Sequence, residues 1–207
     1  MDSFEDIIGQ DDLTDYFKRT ISKGKISHAL LLNGARNSGK EFIARIYAST
    51  IQCEKKGLAP CGECRSCMMA ASSNHPDIIT VTHDEHPNSI GVDEIRDQIN
   101  NDIVIMPYYS ERKIYIVPDA SLMTEEAQNA LLKTLEEPPD YALIILLVNN
   151  RTLMLPTILS RCVSLDIRPV SAVKIREYLK KKKGISGRPA DIAVAFAQGS
   201  IGRAEKL

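Results

Sequence analysis

Residues 29–46 read Ala29-Leu30-Leu31-Leu32-Asn33-Gly34-Ala35-Arg36-Asn37-Ser38-Gly39-Lys40-Glu41-Phe42-Ile43-Ala44-Arg45-Ile46, an apolar run, a glycine-bounded turn and a helical pattern. The segment Gly34–Lys40 fits the template G-x-x-x-x-G-K, in which the glycines permit a tight turn and close backbone approach while the lysine faces phosphate oxygens. The flanking strand and helix are the context the template requires, because free N–H groups at the helix start attract an anion. A plain strand-to-helix turn would need neither this spacing nor this context. One position departs: Glu41 stands where a hydroxyl would hold magnesium, and its carboxylate repels phosphate unless it binds the metal itself.

A second strand, with Lys113-Ile114-Tyr115-Ile116-Val117 leading to Pro118-Asp119, bears on the same chemistry. In working loops of this kind an Asp closes that strand and binds magnesium. Here Pro118 takes its position and Asp119 comes one residue late. Both departures remove magnesium ligands, so the sequence predicts a degenerate nucleotide site without ATP turnover, and ATP or ADP binding is itself in question.

Working outward, strand-like runs at Ala29–Asn33, Ile78–Thr82, Ile114–Val117, Ala142–Val148 and Cys162–Ile167 alternate with helical patterns at Leu13–Ser22, Lys40–Ile51, Val92–Asn101, Glu125–Leu135 and Pro156–Ser160. Several strands are continuously apolar, as expected when both faces are covered, and the alternation implies a parallel, helix-covered sheet. After Pro169 the composition turns Lys-rich and helical, with Ala172–Lys183, a turn at Gly184–Arg188 and Asp191–Gln198. The fold class is α/β, with a sheet domain at residues 1–168 and a small helical domain at 169–207. The run Lys180–Lys183 reads as a solvated helix end.

The 207 residues, 43 % hydrophobic, suffice for a sizeable core, and 26 basic against 27 acidic residues leave a net charge of −1. No global field draws such a chain to nucleic acid or to an acidic membrane. The longest apolar run is strand-sized, which implies a cytoplasmic protein without a membrane span.

Of five cysteines, four are spaced Cys53-x7-Cys61-x2-Cys64-x2-Cys67. Four thiolates so spaced can wrap a tetrahedral zinc ion with no open position, so the site at about residues 53–67 is structural. A redox dithiol or inert buried cysteines are the alternatives. Cys162 stands apart and reads as a small buried hydrophobe, and His75-Pro76-Asp77 as the turn into the next strand.

Further stretches add a resemblance. Ile8-Gly9-Gln10, His28-Ala29-Leu30-Leu31, Asn129-Ala130-Leu131-Leu132-Lys133-Thr134-Leu135-Glu136-Glu137-Pro138-Pro139 and Thr157-Ile158-Leu159-Ser160-Arg161-Cys162 resemble the clamp-loader branch of the AAA+ ATPases from Phe4 to about Arg203. Within that branch the changes at Glu41 and Pro118 look most like the delta-prime subunits of bacterial DNA polymerase III, whose own ATPase site is degenerate. The gamma/tau subunits share most of the motifs and hydrolyse ATP.

The resemblance implies a RecA-like αβα domain with a zinc-binding insertion, a helical lid, and a collar domain beyond this chain. It also implies that Arg161 is an arginine finger reaching a neighbouring subunit's ATP site, a task that suits a planar, always-charged guanidinium. The Ile8–Gln10 segment resembles the part that packs on adenine, and Asn149 stands near a γ-phosphate sensor; each also reads as turn chemistry. Gly202 occupies a position where ATPases of the family carry Arg, with Arg203 one residue displaced. The implied partners are gamma/tau and delta subunits, and through the complex the sliding clamp and primer-template DNA, with no membrane. The resulting expectation is a non-hydrolysing subunit that is not itself an enzyme. The alternatives are an active gamma/tau-type ATPase in which Glu41 or Asp119 takes over metal binding, and a free-standing zinc-containing nucleotide-binding module.

Overall fold

The computed structural model describes residues 2–84 and 86–206, so Met1 and Leu207, the outer limits of the two expected domains, lie outside the described residues. Strands β1 (Ala29–Asn33), β2 (Ile78–Thr80), β3 (Lys113–Val117), β4 (Ala142–Val148) and β5 (Val163–Asp166) form one sheet in the order β2-β3-β4-β1-β5. Every pairing is parallel; Leu30 of β1 lies opposite Ile145 on one side and Val163 on the other.

The apolar runs are explained by burial on two faces. Alternate residues of the central strands enter opposite cores: Leu31, Tyr115, Ile144 and Leu146 pack with Ile95, Leu131 and Ile158, while Leu30, Ile114, Ile116 and Ile145 pack with Phe17, Ile43 and Tyr47. Truncating one such side chain, for example Ile145→Ala, costs about 2–5 kcal/mol. Phe17 and Tyr47 stack with ring centroids 4.0 Å apart, and the Tyr47 hydroxyl meets Thr20 Oγ1 at 3.1 Å.

The helices of this part are α1 (Asp11–Ser22), α2 (Lys40–Gln52), α3 (Arg65–Ala71), α4 (Val92–Ile95), α5 (Glu125–Glu136) and α6 (Pro156–Leu159). Thr124 caps α5, its Oγ1 accepting the Ala127 amide at 3.1 Å. The helix expected over Val92–Asn101 is α-helical only to Ile95 and continues as a π turn, Arg96–Asn100. The wider turn keeps Ile95, Ile99 and Ile103, four residues apart, all in the core. β2 ends two residues short of Thr82 because the Thr82 amide leaves the ladder for Gln98 Oε1, 2.9 Å away.

Beyond Pro169, α7 (Ala172–Tyr178) runs into a π turn at Leu179–Lys183, followed by α8 (Arg188–Ala197) and α9 (Ile201–Ala204). These helices bury a separate cluster of Ile175, Leu179, Ala190, Ala193, Ala197 and Ala204. α8 starts three residues before the expected Asp191, because Pro189 falls in its first turn, where no amide is required. Gln10 ties the start of this region to α1: its Nε2 donates to the Arg168 carbonyl at 2.6 Å and its Oε1 accepts the Arg168 amide at 3.1 Å. Among the described residues no helix is long and apolar enough to cross a membrane.

Candidate functional site

The phosphate-loop turn leaves the carboxyl end of β1 and enters α2, while Asp119 and Asn149 follow β3 and β4 at the same edge of the sheet. That edge of a parallel sheet is where such folds bind ligands. Gly39 caps α2 at φ +87°, a left-handed conformation that glycine adopts without cost. Gly34 is required for a different reason: a Cβ there would lie 2.8 Å from Ser38 Oγ and 3.0 Å from Ile167 Cβ. Lys40 is buried, and its Nζ donates to the carbonyls of Gly34 (2.8 Å) and Ala35 (2.9 Å) and to Asn149 Oδ1 (2.9 Å). Burial pushes its pKa down, and the nearby charge of Asp119 works against that shift.

The two acidic residues flagged in the sequence have different surroundings. Glu41 pairs with Arg45 one helical turn on, at 2.7 Å, with both side chains half exposed, so part of its repulsion toward an anion is offset locally. Asp119 adopts a left-handed backbone conformation, φ +48° and ψ +39°, immediately after Pro118. This turn brings Asp119 into the wall of the same cavity as Lys40 and Asn149, and Asn149 Nδ2 donates to its Oδ1 at 3.2 Å. Asn149 is fixed in turn by its backbone amide, which donates to Ser121 Oγ at 2.9 Å.

Two cavities flank the loop. One, of about 450 Å³, is lined by Arg36, Lys40, Glu41, Asp119, Asn149 and Lys206 among others. The other, of about 520 Å³, combines apolar walls from Ile7, Ile8, Phe42, Val170 and Ile201 with charged side chains such as Asp6, Lys182, Lys183 and Glu205. Ser38, Gly39 and Gly202 line both, so the two are joined over the loop. The Ser38 hydroxyl is buried there without a hydrogen-bond partner among the described residues. A phosphate chain over the loop with a planar base against Phe42 and Tyr178 fits this arrangement, the second cavity also offering charged groups from Asp6, Lys182, Lys183 and Glu205.

Arg161 lies apart from these cavities. Its Nη2 pairs with Glu136 Oε1 at 2.7 Å and its Nη1 donates to the Thr157 carbonyl at 2.9 Å and to Ser160 Oγ at 3.2 Å. Its side chain is a third exposed. The adjacent Cys162 packs against the first core, and burial pushes its thiol up to about 12.

The four clustered cysteines converge. All four Sγ atoms lie within 4.8 Å of one another, with Cys61 and Cys67 Sγ 3.9 Å apart. Tetrahedral ZnS₄ geometry at Zn–S of about 2.3 Å requires sulfurs about 3.8 Å apart, so the cluster can hold a metal ion. Backbone amides point at the sulfurs: Cys61 N to Cys53 Sγ (3.4 Å), Cys64 N to Cys61 Sγ (3.3 Å) and Cys67 N to Cys64 Sγ (3.4 Å). Amides of Glu63 and Cys64 lower the Cys61 pKa, as suits a thiolate ligand.

His75 and Asp77 do more than form a turn. His75 is buried, meets Ser66 Oγ of α3 at 2.9 Å through Nε2, and accepts the Asp77 amide at Nδ1. Asp77, fully buried, accepts the backbone amides of Tyr108 (2.6 Å), Tyr109 (2.8 Å) and Ser110 (2.8 Å). Sequence spacing gives no sign of that link, which spans more than thirty residues.

Comparison with known proteins bears on the whole. The sequence model of the family described as DNA polymerase III, delta subunit, matches residues 9–171. The tau subunit of DNA polymerase III from Bacillus subtilis (strain 168) is 36 % identical over 179 residues, covering 86 % of this chain and 31 % of the relative. The gamma subunit from Buchnera aphidicola subsp. Acyrthosiphon pisum (strain APS) is 34 % identical over 179 residues, covering 86 % and 48 %. A solved DNA polymerase III gamma-subunit-related protein of Thermotoga maritima superposes with a TM-score of 0.63 at 25 % identity, over 93 % of this chain and 59 % of that one. The chain thus spans less than half the length of these curated relatives.

The gamma and tau subunits are the ATP-hydrolysing side of the resemblance drawn from the sequence, and their similarity overturns the expectation that this chain is no enzyme. That expectation counted Asp119 out as one residue late, whereas the left-handed turn after Pro118 puts it in the cavity wall beside Lys40. From the match over residues 9–171 and these relatives, the chain belongs to the DNA polymerase III delta-subunit family of clamp-loader proteins, close to gamma and tau.

Proposed function

We propose that this chain is the ATP-binding and ATP-hydrolysing part of a gamma/tau-type clamp-loader subunit, with an AAA+ domain at about residues 1–168 and a helical lid at 169–207. The observation that carries the reading is Asp119 turned into the same cavity as Lys40. Asp119 would hold the magnesium ion, which supplies charge neutralisation at the phosphates when bound. Lys40 and the amides at the start of α2 would hold the phosphate chain, the ammonium exchanging Asn149 Oδ1 or a loop carbonyl for a phosphate oxygen. Asn149, 2.9 Å from Lys40 and 3.2 Å from Asp119, would keep both groups oriented. Pairing with Arg45 leaves Glu41 beside the site as a tolerated neighbour and not a metal ligand.

Arg161 acts in trans in this reading, as the finger for a neighbouring subunit's ATP site. The half-exposed ion pair with Glu136 supports this, since it holds the guanidinium at the surface and away from the chain's own loop. The four cysteines hold a structural zinc ion that fixes the insertion between α2 and β2. The partners are further gamma/tau and delta subunits, and the work of the complex is to place the sliding clamp on primed DNA. The test is ATP binding followed with a fluorescent analogue, with and without magnesium. Asp119→Asn should abolish the strengthening that magnesium gives, and Glu41→Ala should leave it intact. Magnesium dependence that survives Asp119→Asn and vanishes in Glu41→Ala refutes the assignment of the metal ligand, and no binding by the wild type refutes the function.

A further inference from the structure

We infer that the four-cysteine site sets the order of a second segment, Tyr108–Ser110, far beyond the last cysteine, and that Tyr109 carries the link; the inference rests on the reading of that site as structural zinc. The residues flanking the cysteines reach this segment. Glu54, next to Cys53, uses one oxygen, Oε1, to accept both the Tyr109 hydroxyl at 2.9 Å and the Ser66 amide at 3.1 Å. Arg65, between Cys64 and Cys67, holds its guanidinium 5.5 Å from the centroid of the Tyr109 ring. Tyr109 is thus gripped twice, once beside Cys53 and once beside Cys64.

A second line of contacts runs beneath. Ser66 donates its hydroxyl to the Gln52 carbonyl at 2.7 Å, so His75 Nε2, which meets the same oxygen at 2.9 Å, is the donor there, and Nδ1 is left to accept the Asp77 amide at 3.0 Å. Asp77 then accepts the amides of Tyr108, Tyr109 and Ser110. Gln52, Ser66, His75 and Asp77 are all buried, so this line has the support of the core. The grip on the Tyr109 side chain has none: from Glu54 to Arg65 no residue is buried. The exposed ion pairs of that stretch, Lys55 with Glu63 and Lys56 with Glu111, contribute little. A metal that ties Cys53 to Cys61, Cys64 and Cys67 is what fixes Glu54 and Arg65 around Tyr109.

The segment that receives this grip buries little of its own. Val104, Met106 and Tyr108 are 73 %, 71 % and 72 % exposed, so polar anchors decide its order. Its first part has anchors independent of the cysteines. Lys113 Nζ, from β3, donates to the carbonyls of Asp102 (2.9 Å) and Ile105 (3.2 Å), and the Tyr115 hydroxyl donates to Asp102 Oδ2 at 2.7 Å. Loss of the metal therefore loosens Tyr108–Ser110 and leaves Asp102–Ile105 in place. The four cysteines in this way govern an exposed stretch of β3's approach that shares no sequence with the insertion they fold.

The experiment is amide hydrogen exchange read by mass spectrometry, on zinc-bound protein and on protein stripped with a chelator, for wild type and Tyr109→Ala. Chelation should speed exchange at Tyr108–Ser110 of the wild type about tenfold, the scale of one charge-assisted hydrogen bond, with Asp102–Ile105 and β4 unchanged. In Tyr109→Ala the contacts to Glu54 and Arg65 are already gone. Exchange around position 109 should then be faster with zinc bound and respond much less to chelation. Tyr109 is not buried, so the variant should keep its sheet and the same zinc content. Exchange unchanged by chelation, equal acceleration in β4, or the wild-type response retained in Tyr109→Ala overturns the inference while leaving the zinc reading standing. Native protein without zinc overturns both.

Discussion

Replacing Arg161 with Ala separates a role in the assembled loader from a role in the chain's own fold. The guanidinium pairs with Glu136 at 2.7 Å, but the two side chains are 34 % and 48 % exposed. A pair so open to solvent contributes about 0.2–1 kcal/mol. For a chain of this size each kcal/mol moves Tm by about 2–4 °C, so Arg161→Ala should lower Tm by no more than about 4 °C. A finger acting on a neighbour's phosphates contributes far more, about 10³–10⁵ in rate where GTPases use one. Several subunits share a loader's work, so the expected loss in clamp- and DNA-stimulated phosphate release is smaller, about tenfold or more. Glu136→Ala is the informative control: it removes the same ion pair but keeps the guanidinium, and should match the Tm change with a much smaller loss of activity. Arg161→Lys should restore little, because an ammonium lacks the planar fork. The assay is phosphate release by loader assembled from full-length subunits. Wild-type turnover in the assembled Arg161→Ala complex, or an equal loss in Glu136→Ala, would refute the reasoning.

Purified protein should carry one equivalent of zinc, and Cys64→Ser should lose it while the sheet persists, because the sheet has its own core; metal analysis and far-UV circular dichroism check both halves, and metal-free native protein would contradict the assignment. Asp77→Ala strands three amides that now donate to a buried carboxylate, and should cost roughly 2–4 kcal/mol in urea unfolding; a cost under about 1 kcal/mol would show that the Tyr108–Ser110 loop does not depend on it. Burial lowers the His75 pKa from its ordinary 6.5, so the unfolded chain binds the proton more readily and the stabilisation present above pH 6.5 is lost as pH falls through the lowered value. An NMR titration of His75 should give a midpoint below 6.5, and one above it would contradict the buried neutral ring.

The strand, loop and helix of residues 29–46 were legible because every determinant is contiguous: apolar run, glycine spacing, then amphipathic start. The cysteine cluster was legible for the same reason. Strand ends were less so, since β2 stops where the Thr82 amide finds Gln98, sixteen residues away. Asp119 shows a different limit. Counting positions after β3 put it one residue late, yet with Asp119 in a left-handed conformation its carboxylate accepts from Asn149 in the cavity wall. The Glu41–Arg45 pair, by contrast, was available in the four-residue helical spacing and explains how an acidic residue sits beside a phosphate loop. The Ser200–Asn37 contact joins residues 163 positions apart, and no local pattern announces it.

Steady-state phosphate release by the purified protein, measured side by side with Lys40→Ala in the presence of magnesium and ATP, decides whether the loop after β1 supports ATP hydrolysis. Lys40 is buried at the mouth of the loop between Gly34 and Asn149, with its ammonium on the cavity shared with Asp119. The wild type should show turnover that clamp and primed DNA stimulate in the assembled loader, and Lys40→Ala should abolish it while the fold remains intact. Phosphate release no greater in the wild type than in Lys40→Ala, both alone and in the assembled complex, would contradict it.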